Sequence, residues 1–95
     1  MNVKTAPRLD VMIEGIRVEI EKDSATKAYV TYIPALGNIS TFGDTLEIAL
    51  DHTREMLLTY IISMDDDGLP LPFSKAEVKR LRRVLQTPIL DRTSS

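Results

Sequence analysis

One histidine, one acidic triplet and one basic cluster are the residues of this chain whose types and spacing could do chemistry. His52 is the lone histidine. General acid–base catalysis needs a partner and a pocket, and a metal centre needs more than one such ligand. Its place on the polar side of the helical pattern around it marks a surface histidine. Asp65, Asp66 and Asp67 are consecutive acids, but they lack the alternating ligands and the terminal Glu of a calcium loop. The four glycines are scattered, so no phosphate-cradling loop is present, and no nucleophile elbow supports a serine triad. With no cysteine, disulfides and thiolate metal sites are excluded. The chain is therefore expected to be no enzyme and to hold no metal or cofactor.

Lys75, Lys79, Arg80, Arg82 and Arg83 lie close enough together to contact phosphates electrostatically. Groove readers pair such a helix with a second one that positions it, and little chain follows Arg83. The cluster reads as a solvated face, or as the contact for an acidic partner or nucleic acid. The formal net charge of -2 gives no global attraction to nucleic acid or membranes. Ninety-five residues suggest one domain with little core to spare, which favours self-association. The N-terminal segment has no signal-peptide shape, and the longest uncharged stretch, residues 28–43, is too short for a membrane span. The expected location is the cytoplasm, with no membrane contact.

These residues need elements to position them. Residues 1–10 are polar, contain Pro7 and are expected to be a flexible tail. Between residues 12 and 22, Ile16, Val18 and Ile20 alternate with Arg17, Glu19 and Glu21, which predicts a half-buried strand. Gly15 marks its start or a bulge. Turn-forming residues 23–26 lead to a second, antiparallel strand over residues 28–33, and Pro34 ends it for want of an N–H. Gly37 and Asn38 permit another turn, then a short third strand runs over residues 39–42.

Asp44 or Thr45 caps the next helix, and Glu47 stands three residues after Asp44 at capping-box spacing. Leu46, Ala49, Leu50, Thr53, Leu57, Tyr60, Ile61 and Met64 make a mostly apolar stripe. Ile48, Leu58 and Ile62 fall off it, so the buried face is wide or a partner covers them. Gly68 suits the position just past the helix, and Pro70 and Pro72 prevent its continuation. The three aspartates meet the unfavourable end of the helix dipole, which points to a solvated helix end or a basic partner. Ser74 and Glu77 predict a second capped helix, with Phe73 and Val78 placed for a hydrophobic staple. Val78, Leu81 and Leu85 form its narrow stripe, completing either the core or a dimer. Pro88 ends it before a tail over residues 88–95.

Residues 28–72 carry a resemblance in their order. The strand AYVTYIP, the segment ALGNISTFGDTLEIAL and the exit DDDGLPLP resemble the HicB-type antitoxins, the antitoxin half of HicA–HicB pairs. Pro34, Leu36, Gly43, Asp44, Thr45, Leu46, Glu47, Ala49, Gly68, Leu71 and Pro72 occupy the family's motif positions. The hairpin VEIEKDSATKAYV precedes them. Gly37 and Asn38 stand where the family has Pro and Gly, Ile39 replaces its Cys, and Ile48 replaces the second Glu of its helix start. Many members continue into a DNA-binding ribbon-helix-helix or helix-turn-helix, where this sequence offers the basic helix and a tail.

The resemblance implies an α+β fold: a three-stranded antiparallel sheet packed by one long helix, a reduced ribonuclease-H-like unit over residues 11–72. A short basic helix over residues 73–87 would follow. It implies a binding activity, in which the module covers and neutralises a small, basic, HicA-like toxin ribonuclease. Glu19, Glu21, Asp65, Asp66 and Asp67 would then meet the toxin's positive surface. It also implies a homo-oligomer, a dimer or tetramer. The alternatives are an oligomeric nucleic-acid-binding regulator using Lys75, Lys79, Arg80, Arg82 and Arg83, or an interaction module of the same fold without a toxin.

Overall fold

The computed structural model describes residues 8–86. Four strands, β1 (Arg8–Ile13), β2 (Ile16–Lys22), β3 (Tyr29–Ile33) and β4 (Ile39–Gly43), precede two helices, α1 (Leu46–Asp66) and α2 (Lys75–Gln86). The strands form one antiparallel sheet in chain order. The α+β class expected from the sequence holds, but the sheet has four strands rather than three. The added strand takes up residues 8–10, expected in the tail, and splits the run from residue 12 to 22. Glu14 (φ 51°) and Gly15 (φ 87°) form a two-residue hairpin turn, with Ile13 paired to Ile16. Gly15 is thus a turn residue. The rest of both expected tails, residues 1–7 and 88–95, lies outside the described residues.

Alternation decides what the sheet buries. Ile13, Ile16, Val18, Ile20, Thr31 and Ile33 are buried on the inner face, while Arg17, Glu19 and Glu21 point to the other. The β2–β3 reversal is held by the Asp23 carboxylate, which accepts from Thr26 N (2.8 Å) and Thr26 Oγ1 (2.7 Å). Pro34 stops β3 and opens a single 3-10 turn, Pro34–Leu36. The chain then reverses through Gly37 (φ 71°) and Asn38 (φ 62°).

Helix α1 begins at Thr45, whose Oγ1 accepts from Ile48 N at 3.1 Å. With Thr45 as the cap, Glu47 sits one position too early for a reciprocal capping box, although its charge still favours the helix N-terminus. Ala49, Thr53, Leu57 and Ile61, each four residues on from the last, are buried. Leu58 packs partly against the core, whereas Ile48 is exposed. The helix ends in a Schellman motif: Leu69 N donates to Met64 O (2.9 Å) and Gly68 N to Asp65 O (3.1 Å), with Gly68 at φ 70°. Helix α2 begins at Ser74, whose Oγ accepts from Glu77 N at 3.1 Å. Val78, Leu81 and Leu85 join the same core cluster as the sheet and α1, so the stripe of α2 is buried within the chain itself. Among the described residues no helix is long and apolar enough to cross a membrane.

Two close contacts lock α1 to the sheet. A Cβ on Gly43 would lie 2.5 Å from Ala49 N and 2.8 Å from Ala49 Cα, so only glycine lets the helix approach the end of β4 this closely. Further along, Thr31 Oγ1 and Thr53 Oγ1 lie 2.7 Å apart, both fully buried. Thr53 Oγ1 donates to Ala49 O at 2.7 Å, so Thr31 supplies the proton between the two hydroxyls.

Candidate functional site

The acidic and basic clusters, expected to meet different partners, meet each other through Arg82. Arg82 Nη1 donates to Asp65 Oδ2 at 2.7 Å and to Asp66 Oδ1 at 3.0 Å. The chain thereby brings a cation back to the negative end of the α1 dipole. The hydrogen bonds that Arg82 donates to Asp65 and then to Asp66 raise its guanidinium pKa above the ordinary value. Asp67 is the exposed C-cap residue of α1.

Arg80 joins α2 to the β1–β2 turn. It donates to Glu77 Oε2 (2.7 Å), to the Glu14 carbonyl (2.9 Å) and to Glu14 Oε1 (3.3 Å). The hydrogen bond from Arg80 lowers the Glu77 carboxyl below 4.5. Arg54 reaches the other Glu14 oxygen at 3.9 Å and donates to Val84 O at 3.2 Å. Arg83 is exposed near the end of α2. Lys75 and Lys79 enter no ion pair among the described residues.

Glu19 and Glu21 lie on the sheet face that neither helix covers. Glu19 pairs with Arg8 (2.9 Å) and Arg17 (2.7 Å), and Arg17 also reaches Asp10 at 3.5 Å. Glu21 lies 3.5 Å from Arg8 and accepts from the Tyr32 hydroxyl at 3.3 Å. Burial, then the Glu21 charge, pushes the Tyr32 phenol above 10. Apolar side chains stand among these charges: Met12, opposite Arg17, is 64% exposed, and Phe42, opposite Val30, is 61% exposed. The five acids expected to form one contact are thus split. Glu19 and Glu21 mark the open sheet face, while Asp65, Asp66 and Asp67 end the helix that packs on its opposite side.

His52 Nδ1 lies 2.8 Å from Phe42 O. A carbonyl only accepts, so Nδ1 carries a hydrogen and the neutral ring keeps its lone pair on Nε2. The histidine closes off a carbonyl of the edge strand β4. It also lines a shallow groove of about 560 Å³ with Thr41, Met56 and Tyr60. No group of three His, Cys, Asp or Glu side chains among the described residues is arranged to hold a metal ion. A second cleft, about 710 Å³, opens between the end of α1, the following loop and the first turns of α2.

Sequence reasoning missed Glu14, the acid that Arg80 and Arg54 share, and the exposed Met12 and Phe42. Neighbouring Gly15 was the one local signal for Glu14. Comparison with family models, with curated proteins and with solved structures finds no significant match to this chain.

Proposed function

We propose that this chain is a HicB-like binding module, a reduced ribonuclease-H-like unit that neutralises a small basic toxin ribonuclease by protein–protein contact. The observation that carries the reading is the uncovered sheet face, where Asp10, Glu19 and Glu21, partly offset by Arg8 and Arg17, stand among exposed Met12 and Phe42. Acids around apolar anchors suit a basic protein partner: the apolar groups supply burial, and the charges steer encounter and set register. The resemblance gains support because its motif residues sit at turning points. Pro34 ends β3, Gly43 admits α1, Thr45 caps it and Gly68 stops it. In this reading the module works in the bacterial cytoplasm, self-associates, and performs no catalysis. DNA binding through α2 has less support, because Arg80 and Arg82 are engaged within the chain and, among the described residues, α2 itself carries no exposed large apolar side chain comparable to Met12 and Phe42 on the sheet face.

The test is co-expression with the product of the adjacent small gene, followed by co-purification and an RNA-cleavage assay. A stable complex and arrested cleavage are expected, both weakened by Glu19→Lys/Glu21→Lys and by Phe42→Glu. If no basic partner binds, or RNA cleavage continues inside the complex, the reading is wrong.

A further inference from the structure

The cleft beside α2 has the chemistry of a second docking site, separate from the open sheet face. Its apolar wall is formed by Leu69, Leu71, Phe73 and Val78, and Lys75 and Lys79 flank it. Leu69 is 49% exposed, a large apolar side chain with a free surface beside the cleft. Val78 and Phe73 belong to or pack against the core, so this wall is held rigid from behind.

The charges around the cleft are unequal. Asp65 also lines it, but its carboxylate already binds Arg82. Lys75 and Lys79 have no such partner among the described residues. They are four apart on one helix, where like charges repel and disfavour the helix slightly. An anion placed between them would relieve that repulsion. The rise of α2 separates the two positions by about 6 Å. Acidic side chains two apart on an extended chain are separated by about 7 Å, a close match.

We propose that this cleft docks an extended acidic peptide segment of a partner protein. Two carboxylates, two residues apart, meet Lys75 and Lys79, and an apolar side chain packs on Leu69 and Leu71. The apolar wall favours such a peptide over nucleic acid, whose backbone would leave that wall uncovered. The arginines a nucleic acid would need, Arg80 and Arg82, are held by carboxylates within the chain.

The experiment titrates the full chain, labelled with nitrogen-15, with acetyl-Glu-Glu-Phe-Glu-Leu-Glu-amide and follows backbone amide shifts. Two control peptides replace every Glu by Lys, or both apolar residues by Gly. A short DNA duplex is the fourth probe. Shifts confined to residues 68–82 are expected with the acidic apolar peptide, weakening as salt rises. Lys75→Glu/Lys79→Glu should weaken binding about tenfold, equal to about 1.4 kcal/mol. Both side chains are exposed, so this variant keeps its fold, and unchanged amide dispersion checks that. Leu69→Ser should weaken binding independently of charge. The proposal is overturned by no binding, by shifts elsewhere, by equal binding of either control peptide, or by duplex DNA binding where the peptide does not. The toxin-binding reading survives each of those outcomes, because it rests on the opposite side of the sheet.

Discussion

Replacing Gly43 by Ala tests the closest approach in the fold. The new Cβ would sit 2.5 Å from Ala49 N, 2.8 Å from Ala49 Cα and 2.8 Å from Ile48 Cγ2. Two of these are backbone atoms, so no side-chain rotation relieves the clash. Ordinary contact begins near 3.4 Å, so the start of α1 must retreat by about 0.9 Å. Thr53 donates to the carbonyl of that same Ala49 and accepts from Thr31 at 2.7 Å, so the retreat strains the buried hydroxyl pair as well. Overpacking of this kind costs about 1–3 kcal/mol. With a urea m-value of about 1 kcal/mol/M for so small a domain, the unfolding midpoint should fall by about 1–3 M. Gly68→Ala is the control. Its Cβ meets nothing within 4 Å, and its cost, about 1–2 kcal/mol, comes from the positive φ of 70° alone. Amide shifts at Thr31 and Thr53 should move in Gly43→Ala and stay in place in Gly68→Ala. A Gly43→Ala protein with an unchanged midpoint and unchanged Thr31 and Thr53 signals would refute the reasoning.

Thr53→Val takes the near acceptor from the buried Thr31 hydroxyl, leaving it the Thr41 carbonyl at 3.5 Å, and should cost about 1–3 kcal/mol. Adding Thr31→Val should recover part of that loss, and denaturant unfolding of the four proteins in the cycle measures it; a strictly additive double variant would contradict the pairing. Glu77 supplies a pH signature. Arg80 lowers its folded pKa below 4.5, so its contribution is fully present above the unfolded value and is lost as pH falls through the folded one. Arg80→Met should flatten the loss of stability below about pH 4.5 seen in urea midpoints; an unaltered acid limb would show that the ion pair carries no linkage.

Much of the fold was legible because it is encoded locally. Ile16, Val18 and Ile20 alternate as a strand must, and Gly37, Asn38 and Gly68 stand where the chain takes positive φ. Strand β1 was hidden by its turn. Glu14 adopts φ 51°, a conformation more usual for Asn, Asp or Gly, so Glu14–Gly15 did not read as a hairpin. The sequence left the cap open between Asp44 and Thr45, both good caps, and the structure gives it to Thr45, whose side chain accepts from Ile48 N. The candidate site was less legible. Its residues were visible as charges, but their pairing was not.

The sequence alone determined the turns after β2, β3 and α1, the buried faces of β2, α1 and α2, and that its charges gather in an acidic run and a basic helix. Those features depend on periodicity, propensity and turn chemistry among near neighbours. Tertiary structure alone decided where the charges spend their attraction. Arg80 reaches Glu14 across 66 positions of sequence, and Arg82 reaches Asp65 across 17. Among the described residues it also left Lys75 and Lys79 unpaired beside an apolar cleft, and Met12 and Phe42 uncovered on the open sheet face. Periodicity specifies the direction in which a side chain points, whereas a partner is specified only when packing brings distant segments within a few ångströms.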